Sequence, residues 1–166
     1  MSCSENQLTG LSELKNTRNP LQFTEIDVSN NELTQISTDL KKFSNLESFE
    51  ATRNQISRIL VDTLPKSVKL LKLAHNNFNA LTGDMLEDLV GLEEIHFQNN
   101  YITCVDEGLF KKLPNLKVIN LYNNQIQTLP VIAFMQEYSR LNVQSNPIEC
   151  ESRQAEMLKS YRAFET

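Results

Sequence analysis

The residues of this 166-residue chain best equipped for chemistry are two histidines, His75 and His96, with Glu50 and Glu94 as candidate partners, and three cysteines, Cys3, Cys104 and Cys150. Imidazoles beside carboxylates are the material of acid–base catalysis and of metal binding. Two imidazoles alone make a poor zinc site, which takes three or four ligands, and no thiol or serine completes a nucleophilic triad. The cysteines lack metal-ligand spacing and are too few for a dense disulfide framework. Gly10, Gly83, Gly91 and Gly108 are scattered and form no phosphate-binding loop. These residues predict no catalytic centre, no metal and no cofactor, so the chain reads as a binding protein and not an enzyme.

Composition narrows the class further. Hydrophobic residues make up 40% and charged residues 22%, enough apolar material for a folded core. A net charge of -5 and the lack of a basic stripe or aromatic platform argue against nucleic acid as a partner. No apolar run is long enough to span a membrane, and Met1-Ser2-Cys3-Ser4-Glu5 has neither the basic region nor the apolar stretch of a signal peptide. Asn is abundant, yet no Asn-x-Ser/Thr sequon occurs, which leans away from a glycosylating compartment.

The positioning elements emerge from a repeat. Asn31, Asn54, Asn76, Asn100, Asn124 and Asn146 are separated by 23, 22, 24, 24 and 22 residues. Each is preceded by apolar residues eight, five and three positions earlier. The first set is Phe23, Ile26 and Val28, and the fourth is Leu92, Ile95 and Phe97. Apolar residues also follow two and, in all but the last repeat, five positions later, as Leu33 and Ile36 do after Asn31. Residues five and three before the Asn share one face of a short extended segment. Such a segment is too short to stand alone and must stack in parallel on its neighbours. The Asn amide, which both donates and accepts, suits a turn where peptide groups would otherwise be buried unpaired. The Asn column is therefore expected to be structural. Triplets spaced by three, such as Leu40, Phe43 and Leu46 or Phe110, Leu113 and Leu116, predict short helical or 3₁₀ turns on the opposite side. The shorter Leu64-Pro65-Lys66-Ser67-Val68 predicts a flatter, irregular turn there.

A pattern of this kind resembles the leucine-rich repeat family, and the resemblance covers nearly the whole chain. It implies an α/β solenoid: a right-handed curved stack with a parallel concave β-sheet, an irregular, 3₁₀ or short-helical convex side and a C-terminal capping helix. The chain then reads as one domain, with a degenerate N-terminal repeat or cap at 1–22, six repeats at 23–149 and a C-terminal cap at 150–166. Asn6-Gln7-Leu8-Thr9-Gly10-Leu11 matches an anchor with its following apolar positions. It is either a coil acting as its own lid, the preferred reading, or the edge of a longer array. Asn146-Pro147-Ile148-Glu149-Cys150 resembles the start of a cysteine-containing cap, although Ser152 stands where the family usually has a second cysteine. Met157, Leu158, Tyr161 and Phe164 fall on one side of a helix running from about Gln154 to Phe164.

Cys104 and Cys150 sit four residues after their anchors but two coils apart, about 10 Å at ordinary strand spacing and beyond the ~7 Å reach of a disulfide. All three cysteines are expected to be unpaired within the chain. Contact with another chain could run through Cys150 or through the capping ends.

Residues six, four, two and one before each Asn are expected to project from the concave face, free of folding constraints. Partner specificity is then expected at Lys72, His75, Glu94, His96, Val118, Asn120, Tyr122 and Arg140. Tyr122, flanked by Val118 and His96, is the preferred anchor, because tyrosine combines large contact area with a polar tip. His75 and His96 are expected at similar heights in neighbouring repeats. Coils of 22 to 24 residues with convex phenylalanine, as in Glu107–Leu116, resemble extracellular animal repeats of Toll-like and insect immune proteins. That resemblance implies a secreted immune or receptor-ectodomain module recognising a protein ligand, and it favours an extracellular site. The alternatives are an intracellular adaptor or scaffold, favoured by unpaired cysteines, and a structural segment of a longer array.

Overall fold

The spacing of the Asn anchors becomes the register of a sheet. In the computed structural model, which describes residues 1–130, 133 and 138–149, six three-residue strands lie side by side, all parallel. They are β1 (Glu25–Asp27), β2 (Ser48–Glu50), β3 (Leu70–Lys72), β5 (Glu94–His96), β7 (Val118–Asn120) and β8 (Arg140–Asn142). Glu25 pairs with Ser48, Ser48 with Leu70, Leu70 with Glu94, Glu94 with Val118 and Val118 with Arg140. Every strand is thus aligned by its distance from its own Asn. Parallel strands cannot be joined by tight hairpins, and here each crossover is the remainder of one repeat.

The inward residues make a continuous core. Ile26, Phe49, Leu71, Ile95 and Ile119, five before their anchors, are fully buried, and so are Val28, Ala51, Leu73, Phe97 and Leu121, three before. Leu33, Ile56, Phe78, Ile102 and Ile126 complete each layer from beyond the turn. Phe78 and Phe97 meet edge to face with ring centres 5.1 Å apart, a geometry that adds to the gain from area alone.

The convex side varies with the local sequence. Among the described residues it carries 3₁₀ turns at Ser12–Asn16, Pro20–Gln22 and Thr38–Lys42 and one α-helix, α1 (Glu107–Lys112). The segment around Leu64–Val68 has turns and no helix. Asp106 caps α1 by accepting from Gly108 N, and Ser37 caps Thr38–Lys42 by accepting from Asp39 N. A second, two-stranded parallel ladder joins β4 (Ala80–Leu81) to β6 (Cys104–Val105), an element the repeat pattern does not announce. The coils begun by Asn76 and Asn100 are both 24 residues long, so their outgoing segments stay in step.

At the N-terminal edge, Met1–Glu5 runs beside β1. Cys3 N donates to Asp27 O at 2.7 Å, Asp27 N to Met1 O at 2.8 Å and Glu5 N to Ser29 O at 3.0 Å. Leu11 and Leu14 are buried against the first layer. The expected capping helix at 154–164, Cys150 and the cap at 150–166 lie outside the described residues. Among the described residues, Cys3 and Cys104 carry free thiols, and no helix is long and apolar enough to cross a membrane.

Candidate functional site

A face built from three-residue strands holds its shape only if the turns beside it are fixed, and the Asn column does this. The side-chain carbonyl of Asn54 accepts from Leu33 N in the preceding coil at 3.0 Å, while its amide donates to Val28 O of that coil and Ala51 O of its own at 3.0 and 3.1 Å. Asn76, Asn100, Asn124 and Asn146 repeat the pattern with Ile56, Phe78, Ile102 and Ile126 N–H. From Val28 to Leu121, each carbonyl three before an anchor is shared by two successive amides: Leu73 O accepts from Asn76 and Asn100, and Phe97 O from Asn100 and Asn124. The ladder extends to the N-terminal edge, where Asn31 accepts from Leu8 N and Cys3 O accepts from both Asn6 and Asn31.

Contrary to the expectation from alternation, the residue immediately before each Asn is not free of folding constraint. Asn30, Arg53, His75, Asn99, Asn123 and Ser145, together with Glu5 before Asn6, have left-handed backbone with φ between 53° and 59°. The chain must reverse curvature at this point to swing the next Asn inward. Left-handed geometry costs an ordinary L-residue roughly 1–2 kcal/mol, and Asn tolerates it best after Gly. Arg53→Asn is therefore expected to raise unfolding free energy by about 0.5–1 kcal/mol in urea melts, whereas His75→Val lowers it by at least about 1 kcal/mol.

The outward rows form a graded surface. Four before the anchors run Asp27, Glu50, Lys72, His96, Asn120 and Asn142, from acidic through basic to neutral. Lys72 Nζ pairs with Glu50 Oε2 at 2.9 Å, and His96 Nε2 lies 3.4 Å from Glu94 Oε2. His75 Nε2 faces Asn99 Nδ2 at 3.2 Å, and Asn99 in turn accepts from Asn123 Nδ2 at 2.8 Å. The histidines are not at equal height: His96 pairs with Lys72, three residues before His75. Each imidazole has its own partner. Ser29 and Ala74, expected to point outward, are buried, because their small side chains lie on the floor of a depression overtopped by longer neighbours.

That depression, about 440 Å³ in volume, is lined by Glu50, Arg53, Lys72, His75, His96 and Gln98 among others. It gathers Lys72, His75 and His96 of the expected site. Val118, Asn120, Tyr122 and Arg140 lie on the following coils, outside it. Asn120 Oδ1 accepts from Tyr122 N at 3.1 Å, fixing the end of β7, and Val118 stands in register between Glu94 and Arg140. Tyr122 is 38% exposed. Its neighbours along the row are Gln98 and Gln144, not Val118 and His96, since Asn99 N binds Tyr122 O and Asn123 N binds Gln144 O. Arg53 and Gln98 hold outward positions but are not among the residues at which specificity is expected; the signal for Arg53 is a large basic residue where three other repeats carry Asn.

Outside the concave face, Glu47, Lys69, Glu93 and Lys117 alternate along one row where the strands begin, with pairs Lys69–Glu47 at 2.8 Å and Lys117–Glu93 at 2.7 Å. Hydrogen bonding to Lys117 holds the Glu93 carboxyl below its ordinary range, and Glu47 raises the Lys69 ammonium. These exposed pairs order side chains without stabilising much.

Comparison with known proteins fits this architecture. A family model described as leucine rich repeat matches residues 91–148. The chain is 31% identical over 107 residues to the flightless-1 homolog of Caenorhabditis elegans, covering 63% of this chain and 8% of that protein. It is 37% identical over 90 residues to lumican of Gallus gallus, covering 54% and 26%. Among solved structures, the octameric complex of Latrophilin 3, Unc5D and the FLRT2 leucine-rich repeat region holds a similar chain, with TM-score 0.76 and 26% identity. The match covers 95% of this chain and 48% of that one. The chain thus spans less than half the length of each.

Proposed function

The chain belongs to the leucine-rich repeat family, and from that premise we propose that its concave face recognises a protein ligand, in the manner of a secreted or receptor-ectodomain module. The single observation that carries the reading is the division of labour between rows. The core and Asn rows are saturated by packing and hydrogen bonds, while the rows facing outward hold a half-exposed tyrosine and side chains of both charges that the fold does not need. Specificity in this reading lies at Lys72, His75, Glu94, His96, Val118, Asn120, Tyr122 and Arg140. The similarity to lumican and to a structure containing the FLRT2 leucine-rich repeat region supports an extracellular setting, with innate-immune recognition as one form of it. An intracellular adaptor is the second reading, supported by the free thiols of Cys3 and the exposed Cys104.

Binding, not catalysis, suits the chemistry, since an open sheet leaves no enclosed, dry pocket around either imidazole. Tyr122 serves as the anchor. Tyr122→Ala is expected to weaken a captured partner by at least about 2 kcal/mol, measured by titration calorimetry after affinity capture from the native source. An affinity unchanged within error would remove Tyr122 from that role.

A further inference from the structure

The depression at the N-terminal half of the concave face has unmet bonding capacity of two kinds. Arg53 is exposed and engages no carboxylate among the described residues. Lys72 already shares Glu50, so Arg53 and Lys72 against Glu50 leave one net positive charge in the lining of a chain whose total is -5. Two coils away in the same depression, Gln98 Oε1 is buried and accepts no hydrogen bond among the described residues. A buried acceptor left unpaired costs free energy that a donor would recover. The first group asks for an anion and the second for an N–H. A simple anion satisfies only one of them.

We propose that this depression takes an acidic peptide segment of the protein partner, with a carboxylate on Arg53 and a main-chain N–H on Gln98 Oε1 once the Gln98 side chain turns outward from its unpaired position. The reading rests on the concave face being a binding surface. Two coils span about 10 Å at ordinary strand spacing, and three extended residues cover about the same distance. One short extended stretch therefore reaches both groups. An arginine fork takes a carboxylate in two parallel bonds, which fixes the segment's direction. Glu25 and Asp27 on β1 repel an acid placed farther towards the N-terminal edge, so the lining sets the register as well as the sign.

The test is a titration of the full chain, followed by two-dimensional amide NMR, with a hexaglutamate peptide, a hexaglutamine peptide and inorganic phosphate. Hexaglutamate is expected to give saturable shifts centred on Arg53, Lys72, His75 and Gln98. Arg53→Asn, which suits the left-handed backbone and so keeps the fold, is expected to weaken it about tenfold. Lys117→Gln, on the charged row outside the concave face, leaves hexaglutamate binding unchanged, and partner capture by Tyr122→Ala is read separately, which distinguishes failure of this site from failure of the anchor assigned above. The proposal is overturned if shifts are absent or scattered over lysines elsewhere, if phosphate reproduces them, if hexaglutamine binds equally, or if Arg53→Asn binds like the parent.

Discussion

Asn100→Ala is expected to lower the unfolding free energy by about 2–4 kcal/mol, a large share of the stability of a small domain. The loss depends on which bonds have substitutes. Leu73 O and Phe97 O each keep a second Asn amide, Asn76 and Asn124 respectively, and Gln98 O still accepts from His75 N at 3.0 Å. The amide of Phe78 has no such reserve. It donates to Asn100 Oδ1 at 3.1 Å in a fully buried layer, and water cannot replace that acceptor. Asn146→Ala removes the same bonds from a half-buried site at the other end of the ladder, so about 1 kcal/mol is expected there. Urea denaturation of both variants checks the ranking. Equal losses would mean that the ladder's value lies in the shared carbonyls and not in the buried N–H.

The same ladder explains what the sequence made readable. Counting back from each Asn yields the strand register, because core, turn and pairing all repeat on one period and a slip would turn Ile95 or Phe97 outward. The convex side does not share that discipline. Repeats of 22 to 24 residues close with a helix at Glu107–Lys112, a 3₁₀ turn at Thr38–Lys42 or plain turns near Leu64. Their apolar triplets show only that something packs inward. The β4–β6 ladder left no mark because two-residue strands have no period to detect.

On the concave face, residue identities could be listed by row, but depth could not. A depression arises where Ser29 and Ala74 are small and Arg53, Lys72 and His75 are long, a comparison across three coils that no single repeat reveals. The left-handed position was legible in part. Asn30, Asn99 and Asn123 are the residues such a backbone favours, whereas Arg53, His75 and Ser145 disguise the column. Their presence, against the local conformational preference, is a reason to look for function at Arg53 and His75.

The second large effect concerns two glycines facing each other across adjacent coils, and it is asymmetric. Gly83→Ala is expected to cost about 2–3 kcal/mol, while Gly108→Ala is nearly neutral. A Cβ on Gly83 would lie 2.8 Å from the carbonyl carbon of Gly108 and 2.9 Å from its Cα, both backbone atoms. Gly108 cannot retreat, since it sits in the first turn of α1 with Leu109 and Phe110 buried beside it. The reverse substitution places its Cβ 3.3 Å from Asp106 Oδ2 and 3.5 Å from Gly83 Cα, contacts a small side-chain shift relieves, and alanine favours the helix. Asp106 binds the two segments together, accepting from Gly83 N and Gly108 N at 3.1 Å each. Those two bonds hold its carboxyl below the ordinary range. The clamp's contribution is therefore present above the ordinary carboxylate range and lost as pH falls through the lowered folded value. Thermal melts of both variants near neutral pH decide the matter. Similar losses at the two positions would show that the coils can separate, and that close backbone contact at Gly83 does not set the spacing of the stack.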